Sequence, residues 1–521
     1  MPCDDANAVT NATEYFVDRF GEGVYSRRTA FLTEGREIRY RDYCAGVDAA
    51  AHRLLESGVK RDDRVALMID DSPEFAYFFF ALLKIGAIAV PINVFSRSEH
   101  LAFYLSDCRA SRLVVERAHT ETVISALSSR KEALENIIWV DGDLPVDNDQ
   151  IPVETALVGP DADAFWLYTS GTTGRPKAVI HRHASTILCA RNYAKFILQA
   201  TQQDVFFSTS KLSFAYGLGN SLLFPLYVGA TAILRPGQAT PDGVFDYIQH
   251  YKPTLFFSVP AVYGHMLKIM EDKKIRFNGV RMCISAGESL PVGIFNAWKQ
   301  STGHKIYDGI GSTEALHIFC SNRPGKCKPG TSGKAVAGYQ LKIVNESGVC
   351  VLPGEAGNLQ VKGETIAKGY WNRYTHTRST FQGEWLSTGD IFRMDEDGYY
   401  VFLGRQGDTF KVSGLWVSAT EIEHCLLSIE YVVEAAVVAG TGHDGLTVPI
   451  AHVVLNEASS LRQDGSLRSR IMETLRSRLS RYKVPERIYL VESLPRTATG
   501  KIDRARLRMT ESNEPGMLAY G

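Results

Sequence analysis

The sequence predicts an α/β protein: a large N-terminal domain of parallel α/β sheets with a small β-barrel-like subdomain, then a small α+β C-terminal domain. Three observations carry this. From about residue 38 to 400, short β-branched runs alternate with longer stretches of helical spacing, the pattern of a parallel sheet covered on both faces. After about residue 330 glycines become frequent and the apolar runs short and alternating, as in antiparallel strands. Beyond Gly404, Arg405, Gln406, Gly407 and Asp408 a fresh helix and strand pattern begins.

Taken in order, 64–69, 112–115, 137–140 and 254–259 are rich in Val, Ile, Leu and Phe and predict buried strands. Between them, 101–108, 244–251 and 262–271 have helical spacing. The greasiest run, 75–92, is interrupted by Lys84, Gly86 and Pro91. It predicts a buried helix over 75–85 and a strand over 87–92, and falls short of a membrane span. The runs 340–344, 358–361 and 398–402 predict the antiparallel part. Past the break, Ile422, Cys425, Leu426 and Ile429 lie on one helical face, and Leu467, Ile471, Leu475 and Leu479 on another. Strands are expected at 435–439, 450–455 and 488–491. The domains expected are 1–405, a hinge at 406–409, and 410–521.

The chain has 521 residues, with 57 basic against 58 acidic side chains. That balance gives no electrostatic reason to expect nucleic acid or an anionic membrane as partner. Nine cysteines include no C-x-x-C pair, which argues against a zinc site or a disulfide framework and for a reducing cytoplasm.

The chemistry is concentrated in six islands. Tyr168, Thr169, Ser170, Gly171, Thr172, Thr173, Gly174, Arg175, Pro176 and Lys177 form a loop of hydroxyls, two glycines and two cations. Glycine lets backbone N–H groups approach a polyphosphate closely. The spacing is not that of a Walker A loop. Ser285, Ala286, Gly287 and Glu288 follow an apolar strand and offer small residues on which a flat ring can lie. The run from Asp308 and Gly309 through Gly311 to Thr313 and Glu314 ends in a hydroxyl beside a carboxylate, suited to a phosphate oxygen and Mg2+. Asp390 sits at a turn, where a carboxylate can accept from ribose hydroxyls, and Arg405 lies at the break. Lys501 is on a Gly/Thr loop near the end. These are parts for nucleotide-dependent group transfer.

All six islands, in this order, resemble the core motifs of the adenylate-forming superfamily of acyl-CoA synthetases, luciferases and peptide-synthetase adenylation domains. The resemblance implies a mobile C-terminal domain and two steps: a carboxylate attacks the α-phosphate of ATP to give acyl-AMP, and a thiol then displaces AMP. It places Thr169 to Lys177 on the β- and γ-phosphates, Thr313 on the α-phosphate and Glu314 on Mg2+. Gly287, Glu288, Asp308 and Gly309 would border adenine, and Asp390 and Arg405 would hold ribose. Lys501 would bridge carboxylate and α-phosphate, offsetting charge built up in the in-line displacement. Lys411, Ser413 and Gly414 would face coenzyme A. The hinge position two residues after the arginine, usually Asp or Lys in the family, is Gly407 here. Catalysis is expected to survive this, with a less biased domain equilibrium.

Within the superfamily, 211–220 and 308–319 resemble the benzoate-CoA ligase group. Ala215, Tyr216, Ala286, Gly287, Gly311, His317 and Ile318 would then line the acid pocket, with Tyr216 and Ile318 sandwiching a ring and His317 donating to the carboxylate or a ring substituent. No Asp lies near Phe214 to pair with an α-amino group. Ser213 stands where an aromatic is expected in benzoate-specific relatives, leaving room for an ortho group. The expected enzyme is an AMP-forming aryl-acid:CoA ligase acting on benzoate, 2-aminobenzoate or a hydroxybenzoate. A stand-alone adenylation enzyme loading a carrier protein is the alternative, and a homodimer is left open.

Overall fold

The computed structural model describes residues 11–128, 136–144, 151–169, 175–273, 277, 279–406, 409–412, 415–442, 445–456, 467–496, 502–504 and 506–508. It divides into two compact units. The first comprises 1–340 and 361–386, the second 341–360 and 387–521.

The first unit contains two large sheets. In one, the strands run in the order Gly369–Tyr370, Lys177–Arg182, Asp163–Thr169, Ile88–Pro91, Arg64–Met68, Arg112–Glu116, Ile137–Val140. From Asp163–Thr169 onward the pairings are parallel, and Lys177–Arg182 turns back antiparallel. The other sheet has nine strands: Lys334–Ala335, Ile318–Ser321, Ile306–Gly311, Met282–Ser285, Leu255–Ser258, Val205–Ser208, Thr231–Ile233, Thr29–Thr33 and Arg36–Arg39. Its centre is parallel and its edges antiparallel. Ligands in open parallel sheets gather beyond the carboxyl ends of the strands, and most of the predicted site residues of this unit lie there.

The helix expected from residue 75 begins earlier, at Pro73 (Pro73–Lys84). The Ser72 hydroxyl caps it by accepting from the Phe75 N–H, and proline suits the first turn. Lys84, the charge that broke the apolar run, is buried within 2.8 Å of Asp18 and 3.1 Å of Asp48. Gly86 turns the chain into the strand Ile88–Pro91 at φ +75°. Among the described residues no helix is long and apolar enough to cross a membrane.

In the second unit, Tyr400–Arg405 pairs antiparallel with Trp385–Met394, setting Asp390 opposite Arg405. Next come the hairpin Thr409–Val412 and Leu415–Ser418 and the helix Ala419–Leu427. Val432–Thr441 and Thr447–Leu455 pair antiparallel, and Arg487–Leu490 joins in parallel. Ile422, Leu426, Leu467, Ile471 and Leu475 converge on these strands in one core, with Cys425 and Leu479 at its margin. The two helical faces read from the sequence thus bury against one sheet.

Candidate active site

The strand Ile306–Gly311 leads directly into the chemistry. After it, Ser312 caps a short turn, Thr313–Ala315, its hydroxyl accepting from the Ala315 N–H at 3.2 Å. The Thr313 carbonyl accepts from Nε2 of His181, 2.9 Å away. Burial depresses the His181 pKa to about 3, which keeps the ring neutral. Glu314 accepts at Oε1 from the Tyr370 hydroxyl at 2.7 Å. The Tyr370 ring lies 4.6 Å from the Lys177 ammonium. Burial lowers the Lys177 pKa; the Glu314 charge opposes that shift and Arg373 adds to it. Lys177 and Glu314, 137 positions apart, thus meet on the two sides of one tyrosine. Neither His181 nor Tyr370 was expected from the sequence. Tyr370 reaches the site because Gly369 and Tyr370 form an edge strand beside Val179 and Ile180, just after Lys177, a pairing made by the fold.

On the neighbouring strand ends, Gly287 takes φ +91° and is exposed with Glu288. Asp308 lies opposite Ser285 and is buried. Burial pushes its carboxyl well above the carboxylate range, opposed by N–H groups of Leu290 and Gly309. Its Oδ1 has no hydrogen-bond partner among the described residues, an acceptor that fits an exocyclic amine. At Gly309 a side chain would meet the Cys320 carbonyl at 2.9 Å, so close strand packing requires glycine there.

Of the predicted acid-pocket residues, Tyr216, Gly311 and His317 are brought into contact in the first unit. Ala215 and Tyr216 start the helix Ala215–Leu218. His317 is 3% exposed, with ring centroids of Phe224, Tyr193 and Tyr216 at 4.6, 5.4 and 5.4 Å. Its Nε2 lies 3.2 Å from Asn220 Oδ1 and 3.3 Å from the Tyr216 carbonyl, so this nitrogen carries the proton. Burial lowers the His317 pKa to about 3. Its Nδ1 has no partner among the described residues and presents a lone pair. At Gly311 a Cβ would lie 2.4 Å from the His317 carbonyl oxygen, and at Gly219 2.4 Å from its Cδ2. Ala286 and Ile318 are buried, at 3% and 2% exposure. Asn220 was missed as a site residue, although its i, i+4 spacing from Tyr216 put both on one helical face.

In the second unit Asp390 is buried, and Nε of Arg405 lies 2.9 Å from its Oδ1. Half-exposed Arg405 adds a bond from Nη1 to the Thr388 carbonyl. Thr169 ends the strand Asp163–Thr169. Ser170, Gly171, Thr172, Thr173, Gly174, Gly407, Ser413, Gly414 and Lys501 lie outside the described residues, as does the side chain of Lys411.

A family model described as AMP-binding enzyme matches residues 22–371, and one described as AMP-binding enzyme C-terminal domain matches 421–501. The chain belongs to the AMP-binding enzyme family. Among family members it is 37% identical over 521 residues to the 4-hydroxybenzoate–CoA/benzoate–CoA ligase of Rhodopseudomonas palustris, covering 98% of this chain and 95% of that one. To the benzoate–CoA ligase of Thauera aromatica it is 38% identical over 491 residues, 92% of each. The crystal structure of the anthranilate CoA ligase AuaEII in complex with anthranoyl-AMP superposes with a TM-score of 0.90 at 36% identity, covering 97% of this chain and 99% of that one.

The residues present fit the family's reactants. Asp308 and Gly287 offer an acceptor and a flat backbone to a purine. Glu314 offers hard carboxylate oxygen to Mg2+. Among the described residues no group of three or more His, Cys, Asp or Glu side chains could hold a metal ion. Mg2+ is commonly bound through one or two carboxylates plus substrate phosphates, so one glutamate is consistent with that mode.

Proposed function

We propose that this chain is an AMP-forming aryl-acid:CoA ligase acting on benzoate or a ring-substituted benzoate. The observation that carries the reading is the continuity of residues 308–318. In eleven positions, one strand and its turn present an adenine-side acceptor, a phosphate-side hydroxyl, a metal-side carboxylate and the aromatic pocket wall. An acid held by that wall is thereby set beside the α-phosphate, which is the positioning an in-line attack needs. The carboxylate oxygen attacks the α-phosphorus, pyrophosphate leaves, and the thiol of coenzyme A then displaces AMP from the acyl carbon.

In this reading Thr169 to Lys177 hold the β- and γ-phosphates and Thr313 the α-phosphate, while Asp390 and Arg405 hold ribose. Glu314 would hold Mg2+, which when bound would supply positive charge against the phosphates. Lys501 bridges the carboxylate and α-phosphate during the first step. Lys411, Ser413 and Gly414 face the thiol in the second, after rotation at 406–409. Ala215, Tyr216, Ala286, Gly287, Gly311 and Ile318 form the slot for the ring. The His317 proton is committed to Asn220 and Tyr216, so its remaining capacity is as an acceptor. That suits an amino or hydroxyl substituent better than a carboxylate.

A panel of carboxylates in ATP–pyrophosphate exchange tests this, repeated with coenzyme A to follow thioester formation. Exchange with benzoate, 2-aminobenzoate or hydroxybenzoates, and thioester with free coenzyme A, is expected. Exchange with amino acids or long-chain acids alone would contradict it. Thioester formed only on a carrier protein would favour the carrier-loading alternative.

A further inference from the structure

Asp70 and Asp71 follow the strand Arg64–Met68 at its carboxyl end in the seven-stranded sheet. Lys211 follows Val205–Ser208 at its carboxyl end in the nine-stranded sheet. The Lys211 ammonium lies 2.6 Å from Asp70 Oδ1 and 3.7 Å from Asp71 Oδ2, and donates to the Arg235 carbonyl at 3.0 Å. Asp71 Oδ1 accepts from the Leu212 N–H at 2.9 Å, and Asp70 Oδ2 from the Gly237 N–H at 2.6 Å. All three side chains are largely buried, at 15%, 10% and 11% exposure. Two carboxyl groups therefore share one ammonium out of bulk water, Asp70 held below the usual carboxylate range by Lys211 against the pull of burial and Asp71 pushed up to about 7 by burial. Each such ion costs several kcal/mol to desolvate, so general stability is a weak reason to keep the cluster.

Its neighbours suggest a better reason. The Lys211 carbonyl accepts from the Phe214 N–H at 3.0 Å, and the Leu218 N–H donates to the Phe214 carbonyl at 2.8 Å. At Gly217 a Cβ would lie 2.1 Å from the same Lys211 carbonyl oxygen. The helix that starts at Ala215 and Tyr216 is thus folded tightly back onto the lysine's own peptide. Whatever fixes Lys211 and Leu212 fixes that helix. The cluster fixes both, one by its side chain and the other by its N–H, and ties them to a strand of the other sheet.

We propose that Asp70, Asp71 and Lys211 are positioning residues for the acid pocket, setting the aryl-acid KM and the discrimination among ring-substituted benzoates without touching substrate. This rests on the assignment of Ala215 and Tyr216 to that pocket. Asp71 is the informative position, because its Oδ1 holds the Leu212 N–H. Losing this buried hydrogen bond predicts that Asp71→Ala raises the aryl-acid KM by about tenfold. The KM for ATP and kcat should stay within about twofold, the signature of lost ground-state positioning. The benzoate to 2-aminobenzoate ratio of kcat/KM should shift by about threefold or more, since the pocket wall itself moves. Asp71→Asn keeps an acceptor and should return the aryl-acid KM to within about threefold of the parent.

A lowered Tm with unchanged aryl-acid KM and selectivity would mean a purely structural role and overturn the proposal. If Asp71→Ala does not fold, Lys211→Arg carries the same test: a selective rise in aryl-acid KM supports the proposal, and unchanged constants overturn it. Tyr216→Ala separates this proposal from the pocket assignment. A raised aryl-acid KM in Tyr216→Ala alone overturns the positioning role and leaves the pocket intact. A rise in Asp71→Ala alone supports positioning and removes Tyr216 from the pocket; no change in either overturns both.

Discussion

Tyr370 touches two of the charged groups in the proposed site, Glu314 through its hydroxyl and Lys177 through its ring. Tyr370→Phe keeps the ring and removes the hydroxyl. A hydrogen bond to a charged group contributes ~1.5–3 kcal/mol, so kcat/KM for ATP should fall by about tenfold or more. The Mg2+ concentration for half-maximal rate should rise while the aryl-acid KM stays put; steady-state kinetics at varied Mg2+ checks this. His181 and His317 make a second case. Both are buried neutral, with pKa values lowered to about 3 by desolvation from the ordinary 6.5. The unfolded chain therefore binds protons that the native protein refuses. The stability these groups contribute is fully present above pH 6.5 and is lost as pH falls from there toward 3. Each should account for about 2 kcal/mol of lost stability by pH 5. Urea unfolding at pH 7.5 and 5 should show the drop, and His181→Gln should reduce it.

At the scale of elements, the turn after Ile306–Gly311 has little slack. Gly311→Ala would push a methyl to 2.4 Å from the His317 carbonyl oxygen, a backbone atom that cannot swing away. Overpacking of this kind costs ~1–3 kcal/mol, and here the strain lands on the pocket wall. The aryl-acid KM should rise and Tm fall together, as calorimetry and kinetics on one preparation can show. Elements of this sort were legible in the sequence because their information is local. Thr313 and Glu314 are adjacent, Gly287 follows an apolar run, and the spacing of Ile422, Cys425, Leu426 and Ile429 marks a helix face. Partnerships made by tertiary packing were not legible. His181 meets the Thr313 carbonyl across 132 positions and Lys211 meets Asp70 across 141. His181 and Asp70 belonged to no motif until the fold brought them to these partners. His317 was read as a donor to substrate, but its Nε2 proton is used by Asn220 and Tyr216, which periodicity alone does not reveal.

At the scale of the whole molecule, the residues proposed for adenine, metal and the acid pocket belong to the first unit, and the range of the second includes Asp390, Arg405 and Lys501. In the proposed mechanism, rotation at 406–409 separates Lys501 from Asp390 and Arg405, so that the group that activates the acid is exchanged for one that admits a thiol. Withdrawing one lysine should therefore stop the first step and spare the second. Lys501→Ala should lower adenylate formation by ~10²–10³-fold while still converting supplied aroyl-AMP and coenzyme A to thioester. The most direct measurement is mass spectrometry of the parent protein incubated with benzoate, ATP and Mg2+ without any thiol. The expected result is aroyl-AMP with stoichiometric pyrophosphate, converted to aroyl-CoA and AMP when coenzyme A is added. Formation of ADP with an acyl phosphate, or of thioester from protein that never makes the adenylate, would contradict the account.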